Sequence, residues 1–130
     1  MNEKLKSHFL SLYCMIVSDY DVSPLELEEL YRIANQYYGY TPEEINFAVL
    51  SRGTALYIPE SLDEKIQYLY DLAMIVCADG LIKPEELKLL KYYAIMFGFQ
   101  QENMDEIMHF LIENAKSKIE TKEVISKLYN

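Results

Sequence analysis

Two segments of the chain carry acidic residues in the same pattern. Both SDYDVSPLEL and ADGLIKPEEL contain the pattern Asp-x-x-(Val/Ile)-x-Pro-x-Glu. The acids of the two copies are Asp19, Glu26, Asp79 and Glu86. Carboxylate oxygens beside a loop with free backbone carbonyls suit a hard cation such as calcium or magnesium. These four residues are therefore the candidate metal ligands, and a divalent cation is the expected cofactor.

The order of residues places each acidic pair around a short loop between two predicted helices. Asp19 and Asp79 lie where one helix ends, and Glu26 and Glu86 lie in the first turn of the next. Glu26 also completes a capping box with Ser23, and Glu86 suits the positive end of the helix dipole. The alternative to cation binding is therefore that all four carboxylates are purely structural.

Hydrophobic periodicity and helix-start signals predict an all-α chain of about seven helices. Apolar residues recur at helical spacing from Leu5 to Ile16, and no stretch alternates in the manner of a strand. The remaining helices are expected at about 24–38, 42–50, 62–78, 84–97, 101–116 and 121–130. The fourth is apolar nearly all round, so it is predicted to be the most buried, including Ile75, Val76 and Cys77.

The chain matches itself when it is shifted by sixty residues. Between residues 9–37 and 69–97, seven of twenty-nine positions are identical, where chance pairing gives about two. With a two-residue insertion the match extends into the third helix, where EEIN faces DEIM. One repeat cannot bury its own apolar stripe. We therefore expect one domain over 1–130, with packed pseudo-symmetric halves at about 5–54 and 61–117 and an additional helix at about 120–130.

Composition and charge exclude several classes of function. The 130 residues carry a net charge of −9, which argues against nucleic acid and anionic membranes as partners. No apolar stretch is long enough to span a bilayer, so no transmembrane segment is predicted. Cys14 and Cys77 lie in apolar stretches without metal-ligand spacing, which is typical of reduced core thiols in a cytoplasmic protein.

No arrangement of residues indicates catalysis. The sequence contains no nucleophile–base pair, no glycine-rich phosphate loop and no His/Cys metal cluster, so no enzyme activity is expected. His8 and His109 lie on different predicted helices and are interpreted as ordinary helix residues. An EF-hand beginning at Asp19 is rejected, because Pro24 replaces the required glycine and Leu30 replaces the closing glutamate.

The second acidic segment, ADGLIKPEELKLLKYYAIMFGF, resembles the signature of TerB-like domains, the tellurite-resistance protein B family. The resemblance is carried by Ala78-Asp79-Gly80, Ile82 and Glu86, and it covers about residues 8–117. It implies an all-helical, non-enzymatic protein of two related halves that serves stress response or membrane-associated assemblies. It also implies metal binding by acids that correspond to Asp19, Glu26, Asp79 and Glu86. The first copy departs from the pattern, since Tyr20 replaces the glycine.

The function expected from these observations is a non-catalytic cytosolic module that binds divalent cations, in a tellurite-type stress response. The alternative is a protein-interaction adaptor with an acidic, tyrosine-rich surface. Tyr37, Tyr38, Tyr40 and Tyr57 lie in or beside the most acidic region, where exposed aromatic residues would mark a protein-binding face. The sequence does not indicate the oligomeric state.

Overall fold

The computed structural model describes residues 1–18, 21–50 and 53–129. These ranges contain seven α-helices and no strand, which confirms the all-helical prediction for this part of the chain. A 3₁₀ turn at Gln101–Asn103 precedes α6. The helices are α1 Glu3–Val17, α2 Pro24–Tyr38, α3 Pro42–Val49, α4 Leu62–Cys77, α5 Pro84–Met96, α6 Met104–Lys116 and α7 Thr121–Lys127.

Side-chain caps start four of the helices. Asn2, Ser23, Thr41 and Ser61 each accept a hydrogen bond from the backbone N–H three residues further on, at 2.9, 3.4, 3.2 and 3.1 Å. These bonds satisfy N–H groups that have no partner within the helix. Helix α5 begins differently, because Lys83 provides no side-chain cap and Glu86 Oε1 instead accepts from the Lys83 backbone N–H at 3.3 Å.

Helix α4 is the centre of the core. It packs against α1, α2, α5, α6 and α7. Ten of its sixteen residues are buried, more than in any other described helix, as its nearly uniform apolar surface predicts. Ile75 and Val76 are fully buried, whereas Cys77 is only half-buried because it lies at the last turn of the helix.

Two pairs of leucines that lie sixty positions apart are buried alike. Leu12 and Leu72 are both buried, as are Leu30 and Leu90. Helix α1 packs against α2 and α3, while α4 packs against α5 and α6, and α1 also contacts α4. In both sets the first helix packs against the two helices that follow it.

Two further expectations concern the cysteines and the membrane. Cys14 and Cys77 are both free thiols, as expected, although each is half-buried. Burial raises the pKa of both thiols, that of Cys77 to about 11, so each stays protonated at neutral pH.

None of the described helices is long and apolar enough to cross a bilayer.

We expect Leu72→Ala to destabilise the protein by about 2–5 kcal/mol, because Leu72 is 1% exposed and truncation leaves a cavity beside α4. The matched control is Leu81→Ala, at a leucine that is 65% exposed, where the change should stay below about 0.5 kcal/mol. Urea unfolding of both variants measures the difference. Equal effects would show that α4 is not the centre of the core.

Candidate acidic site

Two of the four candidate ligands meet inside the protein. Glu26 lies in the first turn of α2 and Glu86 in the first turn of α5, and each side chain is only 1% exposed. Their carboxyl groups hydrogen-bond to each other. The tertiary structure thus brings together two glutamates that are sixty residues apart in the sequence.

A hydrogen bond between two carboxyl groups requires a proton, since two carboxylates can only accept. The pKa of Glu26 is raised to about 9, chiefly by burial and then by the hydrogen bond and the negative charge of Glu86. Burial also raises the pKa of Glu86, although hydrogen bonds from Glu26 and from the Lys83 backbone oppose this. At neutral pH Glu26 is therefore neutral and donates to Glu86.

The surroundings of the pair favour a single negative charge. The positive ends of the α2 and α5 dipoles meet here, because both glutamates lie in first turns. The Lys83 ammonium acts in the same direction as these dipoles, because it lowers the pKa of both glutamates. The negative charge of Asp79 raises the pKa of both. Even so, Oε2 of Glu26 is buried and accepts no hydrogen bond from the described residues. The site therefore contains a buried carboxyl oxygen that no described residue satisfies.

Asp79 lies beside the pair in the turn between α4 and α5. Its Oδ1 accepts from the backbone N–H of Leu81 at 3.0 Å, so the side chain closes this turn. Gly80 between them has a φ of +78°, a conformation that side chains other than glycine adopt reluctantly. This glycine therefore permits the close turn that places Asp79 next to the two glutamates.

The fourth candidate, Asp19, lies outside the described residues, as does Tyr20. The prediction that Asp19 is a ligand therefore stays a prediction. Three of the four acids are placed, and they share one region where the α4–α5 turn meets the start of α2. Among the described residues no group of three or more His, Cys, Asp or Glu side chains has the arrangement of a metal site.

A second buried polar cluster was not anticipated from the sequence. His8 Nε2 lies 2.8 Å from Asp71 Oδ2, the hydroxyl of Tyr38 donates to the same oxygen at 2.6 Å, and Gln67 Nε2 donates to that hydroxyl at 3.1 Å. His8 also stacks on Tyr68 with ring centroids 3.8 Å apart. The cluster ties α1 and the end of α2 to α4.

One signal in the sequence could have revealed this cluster. Asp71 is the only charged residue of the apolar half of α4, and a buried carboxylate needs partners. His8 is thus a buried partner of Asp71, whereas His109 is an exposed residue of α6. Because the cluster is enclosed in the core, it offers no access to a substrate.

The tyrosines of the acidic region are less exposed than an adaptor surface requires. Tyr37, Tyr38 and Tyr40 pack against the hydrophobic core. The hydroxyl of Tyr37 donates to Glu120 at 3.0 Å, and that of Tyr38 donates to Asp71. Only Tyr57 of these four is exposed. Most of this aromatic group therefore supports the core instead of forming a surface.

A groove between α2, the end of α4 and the turn before α7 is separate from the acidic site. It has a volume of about 630 Å³. Arg32 lies along it and is already engaged by Glu29 and Gln36. Neither Glu26 nor Glu86 lines this groove.

Comparison with protein-family models, with curated proteins and with solved structures finds no match for this chain. The resemblance to TerB-like domains therefore rests on the residues of the acidic segments and on the internal repeat.

The shared proton predicts a specific dependence of stability on pH. The pKa of Glu26 is about 9 in the folded protein and about 4.3 in an unfolded chain. Between about pH 5 and pH 9 the folded state therefore holds a proton that the unfolded state has released, and this contribution is lost as the pH rises. We expect the stability of the wild type relative to Glu26→Gln to fall over this range, by at most about 1.4 kcal/mol per pH unit.

Urea unfolding between pH 5 and pH 9, in the presence of EDTA, measures this difference. The matched control is Glu28→Gln, at an exposed glutamate of the same helix, and it should keep the wild-type profile. An unchanged profile for Glu26→Gln would contradict the shared proton.

Proposed function

We propose that this chain is a non-catalytic cytosolic module of the TerB-like type that binds a divalent cation through its acidic loops. The observation that carries the proposal is the meeting of Glu26 and Glu86 as a buried pair with an unsatisfied oxygen. A stress response of the tellurite type is the role that the resemblance implies. The proposed ligands are Asp19, Glu26, Asp79 and Glu86, and the proposed cation is calcium or magnesium.

The chemistry of the pair supports a hard cation. A cation that replaces the shared proton would neutralise both carboxylates and satisfy the free oxygen of Glu26, and carboxylate oxygens are the preferred ligands of calcium and magnesium. Asp79 lies close enough to influence the pKa of both glutamates. Its second oxygen remains available, because only Oδ1 is used by the turn.

The proposal includes the arrangement of the chain as two related halves, at about 5–54 and 61–117. Its support is the matched packing of α1 with α2 and α3, and of α4 with α5 and α6. The pairing of Glu26 with Glu86 and the stacking of His8 on Tyr68 add to it, because each joins residues sixty positions apart. Contacts between equivalent residues are expected near a two-fold axis.

The adaptor alternative receives less support. It needs an exposed aromatic face, yet three of its four tyrosines pack against the core. The adaptor alternative treats the carboxylates as purely structural. This is its best-supported part, because the shared proton alone accounts for the contact between Glu26 and Glu86. The two hypotheses differ in whether a cation replaces that proton.

Isothermal titration of the whole chain with calcium chloride and with magnesium chloride distinguishes the cation hypothesis from the adaptor hypothesis. We expect Glu86→Gln to weaken cation binding by about tenfold or more, because a charged oxygen ligand is lost with little change in volume. Glu85→Gln is the matched control, since the neighbouring glutamate is exposed and should leave binding unchanged. Asp79→Asn should weaken binding more than Asp19→Asn, because Gly80 allows the turn that Tyr20 resists.

Thermal melting provides a second measure. A ligand at one hundred times its Kd stabilises a folded protein by about 2.7 kcal/mol, so the melting temperature of the wild type should rise with cation concentration. No binding at millimolar calcium or magnesium would reject the cation hypothesis and leave the adaptor. Equal weakening of cation binding by Asp79→Asn and Asp19→Asn would reject only the predicted difference in affinity between the two loops.

A further inference from the structure

The groove beside α2 has the size of a small-molecule site and takes no part in the proposed cation binding. Its volume of about 630 Å³ falls within the roughly 300–1,000 Å³ of ligand pockets. It lies between α2 and the end of α6, and both of these helices pack against α4. Glu26, Asp79 and Glu86 do not line it, so a ligand bound here would leave the acidic site untouched.

The end of α4 gives this groove an apolar floor. Met74 is 6% exposed, while Cys77 and Ala78 are half-buried. Ala115 and Ile119, from the end of α6 and the turn that follows it, continue the apolar surface on the other side. Such a surface favours contact with an aliphatic chain, because both then leave water.

Two carboxylates that line the groove have no basic partner among the described residues. Glu28 is exposed and forms no ion pair there, and the exposed Glu120 accepts a hydrogen bond from the Tyr37 hydroxyl at 3.0 Å. Tyr37 follows Glu28 by nine residues, which is roughly 13 Å along the axis of an α-helix. The groove therefore carries a negative charge towards each end of its apolar floor.

The two bases of the groove do not cancel these charges. The Arg32 guanidinium donates to Glu29 and to Gln36, so its charge is already matched by Glu29. Lys118 is exposed and pairs with no described acid. The groove is thus lined by one more acidic than basic residue, in a chain whose net charge is −9. Its potential therefore attracts cations.

We propose that this groove binds a linear aliphatic polyamine. Ammonium groups at its two ends pair with Glu28 and Glu120, and the methylene chain between them covers the apolar floor. The occupant follows from charge complementarity, because a polyamine carries positive charges that are separated by aliphatic segments. An anion would meet the excess of carboxylates, and a metal ion would leave the apolar floor in water.

Isothermal titration of the whole chain with spermidine tests the proposal. We expect Glu28→Gln and Glu120→Gln each to weaken binding by about threefold to fivefold, the effect of losing one exposed ion pair. Binding should also weaken as the salt concentration rises. Glu106→Gln is the matched control, because this exposed glutamate of α6 lies outside the groove and should leave binding unchanged.

Removal of a positive charge should have the opposite effect. Lys118→Asn takes away the unpaired ammonium of the groove, so we expect spermidine to bind about twofold to threefold more tightly. Asparagine suits this position, because Lys118 has a φ of +55° and asparagine adopts such a conformation more readily than most residues. Lys122→Asn, at an exposed lysine of α7, is the control and should bind as the wild type does.

The length of the ligand provides the last test. n-Butylamine has an aliphatic chain but a single ammonium group, so it should bind at least about threefold more weakly than spermidine. The proposal is overturned if millimolar spermidine does not bind, or if Glu106→Gln loses as much affinity as the groove variants. It is also overturned if Lys118→Asn weakens binding, which is the sign expected for an anion, or if n-butylamine binds as tightly as spermidine.

Discussion

The burial of α4 is the constraint on which the rest of the structure depends. Its apolar side chains point in nearly every direction, so a single neighbouring helix could not remove them from water. Five helices pack around it: α1, α2, α5, α6 and α7. The short loops, the helix caps and the additional C-terminal helix all serve this enclosure, and Val124 brings α7 into the same core.

Enclosing α4 also requires burying polar groups. Asp71 lies on the same helix as the most buried apolar residues, and its Oδ2 is satisfied by His8 and Tyr38 from two other helices. Glu26 and Glu86 are buried at the meeting of α2 and α5, where the pair shares a proton. Such groups favour the observed placement of their helices, because moving the helices apart would break these buried hydrogen bonds.

The acidic site is enclosed and is formed by helix starts that meet in the interior, so a ligand there must replace something that the site already holds.

The sequence by itself determined the helices. Proline at the first position of α2, α3 and α5 and the hydroxyl caps Ser23, Thr41 and Ser61 act within a few residues of the chain. Such local signals can be recognised without knowing the fold. The central position of α4 was also predictable, because a helix that is apolar nearly all round has to be enclosed.

Only the tertiary structure decided which polar residues meet. Glu26 and Glu86 stand in the same local pattern, but nothing in that pattern says whether the two loops converge or lie apart. His8 looked like an ordinary helix residue because its partner, Asp71, is sixty-three residues away. Hydrogen bonds between distant residues depend on how whole helices pack, and the packing is set by the summed burial of many apolar side chains instead of by any short motif.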